Sequence, residues 1–144
     1  MYNITIIKVK EFGRLINMKK EYYSNGRKKY LTEVHYLNEN GKLNNENGPA
    51  RITFYKSGKV EMEEYYINGK QHNENGPALI KYYENGNIRL YQYFLNNEVQ
   101  PLNEKNLVCI EYYENGKVRN ELYYNKETNE TKNIMYNEDG KIIK

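Results

Sequence analysis

The string Gly41-Lys42-Leu43-Asn44-Asn45-Glu46-Asn47-Gly48-Pro49-Ala50 returns as Gly69-Lys70-Gln71-His72-Asn73-Glu74-Asn75-Gly76-Pro77-Ala78, each position 28 residues further on. A fixed period of this size marks a repeat array, in which each unit buries its apolar face only against its neighbours. Arrays of this kind present an extended surface to a partner and seldom build a closed pocket. The period continues beyond the string. Unit two runs from Gly48-Pro49-Ala50 through Tyr55-Lys56-Ser57-Gly58-Lys59-Val60 to Tyr65-Tyr66-Ile67-Asn68-Gly69-Lys70. Unit three runs from Gly76-Pro77-Ala78 through Tyr82-Tyr83-Glu84-Asn85-Gly86-Asn87-Ile88 to Tyr93-Phe94-Leu95-Asn96-Asn97. Unit four drops Gly-Pro-Ala and keeps Tyr112-Tyr113-Glu114-Asn115-Gly116-Lys117-Val118 and Tyr123-Tyr124.

Within a unit the residues read as hairpins. Asn25-Gly26, Asn68-Gly69, Asn85-Gly86 and Asn115-Gly116 sit between aromatic or β-branched runs. Asn-Gly suits a two-residue type I′ turn, whose two central residues need positive φ. Asn96-Asn97 and Asp139-Gly140 read as variants. A two-residue turn at Asn85-Gly86 sets Tyr83 opposite Ile88 and Lys81 opposite Leu90. The stretch Gln71–Pro77 reads as loop, with the next strand starting after Pro77, which cannot donate to a ladder. Helical periodicity is missing apart from one weak candidate, Phe12–Lys20, which is short and contains Gly13. The expected fold is all-β: tandem β-hairpin repeats forming an elongated, twisted, mainly antiparallel sheet. One domain spans 1–144, with a cap at 1–20 (Ile4–Val9 as a strand), units at about 21–47, 48–75, 76–106 and 107–133, and a half unit at 134–144.

The hydrophobic fraction is only 38%, with a mean hydropathy of −1.04, which taken alone suggests disorder. Against that stand 17 Tyr and no Trp; Tyr, Val and Ile suit a half-buried pleated surface. The net charge is +3, from 22 basic and 19 acidic residues, and the signs interleave, as in Lys59-Val60-Glu61-Met62-Glu63-Glu64. A nucleic-acid binder normally shows a basic stripe instead. The single Cys109 excludes an internal disulfide and fits a reducing compartment, with a role as a small buried hydrophobe. Ile4-Thr5-Ile6-Ile7, followed at once by Lys8 and Lys10, is too short for a signal-peptide core. No stretch approaches the roughly 20 apolar residues of a membrane span.

Chemistry finds little footing. The two histidines, His35 and His72, are distant in sequence, and His72 stands where the previous copy has Asn44, so the repeat does not demand an imidazole there. One Cys and two His write no zinc spacing. Glu84 and Glu114 each precede an Asn-Gly turn, where an exposed polar residue serves solubility. The glycines serve turns rather than a phosphate-cradling loop. No catalytic residue, metal site or cofactor is expected, and the chain reads as a non-enzyme.

The segments Tyr65-Tyr66-Ile67-Asn68-Gly69-Lys70, Tyr82-Tyr83-Glu84-Asn85-Gly86-Asn87-Ile88 and Tyr112-Tyr113-Glu114-Asn115-Gly116-Lys117-Val118 resemble the MORN-repeat variant family of bacteria and large DNA viruses. The likeness covers roughly Tyr22 to the C-terminus. The chain lacks the Gly-x-Gly opening and the Trp of standard MORN units and adds Gly-Pro-Ala loops. The resemblance implies stacked hairpins and a scaffold or binding role; the single Cys and the missing targeting segment add the expectation of a cytoplasmic setting, of a bacterium or, for a viral protein, of its host cell. Some bacterial members are labelled antitoxin components, so an inhibitor-like role is among its implications.

Together these readings point to a protein-binding module that scaffolds or blocks a protein partner through a Tyr-rich sheet face. Tyr is well suited to such a face, since it offers contact area at small entropic cost. The candidate surface is Tyr65, Tyr66, Tyr82, Tyr83, Tyr91, Tyr93, Tyr112 and Tyr113. The alternative is a binder of anionic surfaces, membrane lipid head groups or nucleic acid, using the Lys excess. A homodimer through an open sheet edge is the further expectation.

Overall fold

The computed structural model describes residues 3–11, 14–22, 29–101 and 106–143. Its strands are β1 (Asn3–Glu11), β2 (Arg14–Tyr22), β3 (Lys29–Leu37), β4 (Arg51–Phe54), β5 (Val60–Glu64), β6 (Tyr66–Ile67), β7 (Lys70–Gln71), β8 (Leu79–Tyr82), β9 (Ile88–Gln92), β10 (Phe94–Leu95), β11 (Glu98–Val99), β12 (Leu107–Tyr112), β13 (Val118–Asn125) and β14 (Glu130–Met135). Among the described residues, ten of these form one open antiparallel sheet in the order β1-β2-β3-β4-β5-β8-β9-β12-β13-β14, and there is no helix. The strand expected at Ile4–Val9 lies within β1. The weak helical candidate falls largely on β2, with Phe12 and Gly13 outside the described residues.

Two small hairpins, β6–β7 and β10–β11, branch off this sheet. Each forms because a strand changes partner at one residue. Tyr65 donates its N–H to the Ala78 carbonyl at 2.9 Å and accepts from the His72 N–H at 3.0 Å. Tyr93 does the same with Val108 at 3.2 Å and Gln100 at 3.0 Å. The β6–β7 hairpin is tied to the preceding loop by Gly69 N–H to the Leu43 carbonyl (2.8 Å), and β10–β11 is tied to β7 by Asn97 N–H to the Gln71 carbonyl (2.9 Å). A second ladder thus runs beside the main sheet. It takes Gln71, expected to be loop, as part of β7.

The hairpin turns take two forms. Asn68-Gly69 (φ 51° and 80°) and Asn96-Asn97 (φ 54° and 70°) have the positive φ pairs expected of type I′. Asn85-Gly86 does not. There the Tyr83 N–H donates to the Asn87 carbonyl (2.8 Å), the Gly86 N–H donates to the Tyr83 carbonyl (2.9 Å), and Gly86 alone in the turn has positive φ, 93°. This is a type I turn followed by a left-handed glycine bulge. The cause lies in the Asn85 side chain, whose Oδ1 accepts from the Asn87 N–H at 2.8 Å and so completes a local ring. The longer turn moves the register: Ile88 faces Tyr82 rather than Tyr83, while Lys81 faces Leu90 as expected. Asn115-Gly116 and Asp139-Gly140 sit in turns of this same longer form, spanning Tyr113–Lys117 and Asn137–Lys141. Asn25-Gly26 lies outside the described residues.

The duplicated string now has a physical role. Asn45 Nδ2 donates to the Pro49 carbonyl at 3.0 Å, and Asn73 Nδ2 to that of Pro77 at 2.9 Å. Their Oδ1 atoms accept from the N–H groups of Asn47 (3.2 Å) and Asn75 (3.0 Å). Each asparagine folds its loop back on itself and delivers the following alanine into the sheet, where Ala50 and Ala78 are wholly covered. Val108, also fully buried, takes that place in the unit without Gly-Pro-Ala, accepting from Tyr93 as Ala78 accepts from Tyr65. Val34, Leu107 and Cys109 complete the buried apolar residues among those described. Cys109 is the expected small hydrophobe, and burial, with Glu111 nearby, pushes its thiol up to about 11.

Candidate functional site

Residues paired across antiparallel strands project from the same side of a sheet. The register therefore sets Val34, Ile52, Glu63, Ile80, Tyr91, Ile110, Glu121 and Ile134 side by side across β3, β4, β5, β8, β9, β12, β13 and β14. Alternation along each strand adds Tyr65, Tyr82, Tyr93, Tyr112 and Tyr123 to this face. Five of the eight candidate tyrosines thus come together: Tyr65, Tyr82, Tyr91, Tyr93 and Tyr112. All five are half-buried. The rings of Tyr91 and Tyr112 meet edge to face, with centroids 6.0 Å apart at 88°.

Two carboxylates punctuate the face. The Tyr82 hydroxyl donates to Glu63 Oε2 at 2.9 Å. Glu121 Oε2 accepts from Tyr136 at 2.7 Å and from Tyr123 at 3.0 Å. The phenols are correspondingly hard to ionise. Burial and then the Glu63 hydrogen bond raise Tyr82 well above the usual tyrosine value, and the bond to Glu121 with some burial pushes Tyr136 up to about 12. Burial raises Tyr65, with Glu63 adding to it; burial likewise raises Tyr93 and Tyr112, with Tyr91 beside both. These tyrosines remain neutral hydrogen-bonding groups through the ordinary pH range.

The other three candidates stand elsewhere. Tyr66 belongs to the opposite face, where its hydroxyl lies 3.4 Å from Glu64 Oε1. Around it is an ionic cluster: Arg51 Nε donates to Glu33 at 2.6 Å, Arg51 Nη1 to the buried Glu64 at 3.0 Å, and His35 Nε2 lies 2.7 Å from Glu33. Burial works against the Glu33 charge, but hydrogen bonds and charge from His35 and Arg51 together hold its carboxyl below 4.5. Tyr83 and Tyr113 sit at turns and reach into the next unit. Tyr83 donates to the Tyr112 carbonyl and Tyr113 to the Tyr136 carbonyl, both at 2.7 Å, and Tyr55 does the same to Tyr82 at 2.7 Å.

That hydroxyl ladder escaped the sequence reading, as did Glu63 and Glu121. A signal for the ladder existed: Tyr55, Tyr83 and Tyr113 each stand three residues before the glycine of a turn. Nothing in the sequence marks Glu63 and Glu121 among so many exposed glutamates. A side-chain or backbone partner across the repeat boundary has to be seen in three dimensions.

The model of the MORN repeat variant family matches residues 50–68 and 105–126. No curated protein and no solved structure matches the chain significantly. MORN repeats are in general binding modules for proteins or membranes. The matched segments coincide with the hairpins β4–β5–β6 and β12–β13, and unit three between them follows the same plan. These two segments are therefore similar to MORN repeat variants, as the sequence resemblance implied.

Proposed function

We propose that this chain is a non-enzymatic module that binds a protein partner through the face carrying Tyr65, Tyr82, Tyr91, Tyr93 and Tyr112, scaffolding the partner or blocking its activity in the manner of an inhibitor or antitoxin. The observation that carries the reading is the gathering of these five half-buried rings on one side of an open sheet, in line with Ile52, Ile80 and Ile110. Aromatic anchors amid aliphatic contacts make the energetic centre of protein interfaces. The central row of the face speaks against an anionic surface as the ligand, although Lys132 stands opposite Tyr123 at its β14 end. Between Val34 and Ile134 the central row carries Glu63 and Glu121 and no Lys or Arg. A lipid head group or a nucleic-acid phosphate would meet negative charge there.

The test is affinity capture from the native host, with quantitative binding of the captured protein. Tyr91→Ala or Tyr93→Ala should each weaken binding by about 2 kcal/mol, roughly thirtyfold. Tyr113→Phe, altered on the turn and not on the face, should leave binding intact. Partner binding indifferent to both alanine substitutions sinks the reading. Binding that instead tracks acidic vesicles or RNA and collapses with added salt would place the ligand in the anionic class.

A further inference from the structure

The duplicated loops build a pair of equivalent grooves next to the tyrosine face. The first, about 660 Å³, has Tyr65 and Ile67 as its floor, with Glu46 and Asn47 on one wall and Glu74 and Asn75 on the other. The second, about 290 Å³, repeats the plan one unit on: Tyr93 and Leu95 form the floor, and Glu74 and Asn75 now supply the near wall. Tyr65 and Tyr93, Ile67 and Leu95, and Glu46 and Glu74 are all 28 residues apart. The loop 73–75 is thus a partition shared by two subsites in a row.

Their chemistry is related. Each is lined by an aromatic side chain, an aliphatic side chain and at least one carboxylate, and no Lys or Arg is among the described residues lining either. His72 lines the first groove alone, with its Nε2 3.5 Å from Glu74 and its Nδ1 engaged by the Asn96 N–H at 3.3 Å. A lysine or arginine side chain suits this shape, its stem over the ring and its head at the carboxylate. The spacing selects the kind of chain that carries it. Tyr65 and Tyr93 extend β5 and β9, which flank β8, so the subsites lie two strand spacings apart, about 9.6 Å. A polyproline-II segment, with three residues per turn at about 3.1 Å each, covers that distance and brings positions i and i+3 to the same side.

We infer that the twin grooves seat a basic segment of the protein partner in the polyproline-II conformation, with cationic side chains at positions i and i+3 entering successive subsites. The inference rests on the protein-partner reading and names the segment recognised. Fluorescence anisotropy with the full chain tests it, using a labelled Ser-rich peptide with Arg at every third position. The comparison peptide has the same composition with its Arg residues adjacent. The spaced peptide should bind about tenfold more tightly, and Glu74→Gln should weaken it about tenfold. Glu46→Gln should weaken it less, because Glu46 lines only the first groove. Glu127→Gln, on the turn before β14, should leave binding unchanged, and melting curves should show all three variants folded. Equal affinity for both peptides, or indifference to Glu74→Gln, overturns the inference. Partner capture that needs Tyr91 but not Glu46 or Glu74 removes the grooves and leaves the tyrosine face standing; dependence on the glutamates alone does the reverse.

Discussion

At the scale of single residues, tyrosine holds two different posts in this chain, and the direction of its hydroxyl separates them. Tyr55, Tyr83 and Tyr113 donate across the repeat boundary to backbone carbonyls, so they join units. Tyr83→Phe keeps the ring and removes one such bond; we expect a loss of about 1 kcal/mol, read as a lower urea midpoint at unchanged slope. The face tyrosines instead set the alkaline limit of the fold. Tyr82 and Tyr136 ionise at higher pH folded than unfolded, Tyr136 near about 12 against an ordinary 10.0. A raised folded value adds stability that is complete below the unfolded value and is lost as pH climbs through the folded one. Stability against urea should therefore hold level at neutral and mildly alkaline pH and fall above about pH 10. At the acid end Glu33 works with the opposite sign: its lowered value gives stability that disappears as pH drops below 4.5. An alkaline decline already present near neutrality would contradict this assignment. The sequence could show that tyrosines recur with the repeat, but the bulge after each long turn shifts the register by one residue. That shift decides which of two adjacent tyrosines faces a partner and which reaches for a carbonyl.

Turns and loops show why one dipeptide was legible in one place and misleading in another. Asn-Gly at residues 68–69 closes a hairpin of two-residue strands, β6 and β7, with both φ values positive. At residues 85–86 the Asn side chain captures the N–H of Asn87 and the glycine alone turns left-handed. Local propensity permits either outcome, and the pairing of the flanking strands chooses. Gly86→Ala tests this directly. A Cβ there would meet nothing within 4 Å, so the expected cost of about 1 kcal/mol is conformational alone, measurable as a drop in melting temperature. His72 tests the other reading made from the repeat. Asn44 Oδ1 accepts from the Asn68 N–H at 2.8 Å, and His72 Nδ1 accepts from the equivalent Asn96 N–H at 3.3 Å. The expectation that the unit does not demand an imidazole thus acquires a mechanism: it demands an acceptor. His72→Asn should leave stability within about 0.5 kcal/mol, and His72→Ala should lose about 1 kcal/mol. Equal losses for both would contradict the acceptor role.

Across the whole molecule, the sheet is open, and stacking repeats cannot close it. Its last strand, β14, pairs with β13 on one side, and the hydrogen bonds reveal which groups point away. The Tyr136 N–H turns inward to the Arg119 carbonyl, whereas the Met135 carbonyl turns outward and accepts from the Ile143 N–H at 2.8 Å. By alternation, Asn133 and Thr131 present their backbone groups outward as well. They lie in a stretch of β14 that is solvent-exposed, and Ile142 and Ile143 stand next to it at 66% and 60% exposure. Ladder groups without a backbone partner among the described residues, beside exposed isoleucines, form a template for another strand, and a second copy of this chain supplies one in the same antiparallel sense. We expect concentration-dependent dimers in light scattering. Asn133→Pro discriminates, because proline at an outward-facing position removes a donor the β13 ladder does not use. The variant should keep its circular dichroism spectrum and sediment as a monomer at concentrations where the parent chain pairs. A parent chain that stays monomeric throughout, or a proline variant that pairs equally well, would show that β14 is not the joining edge.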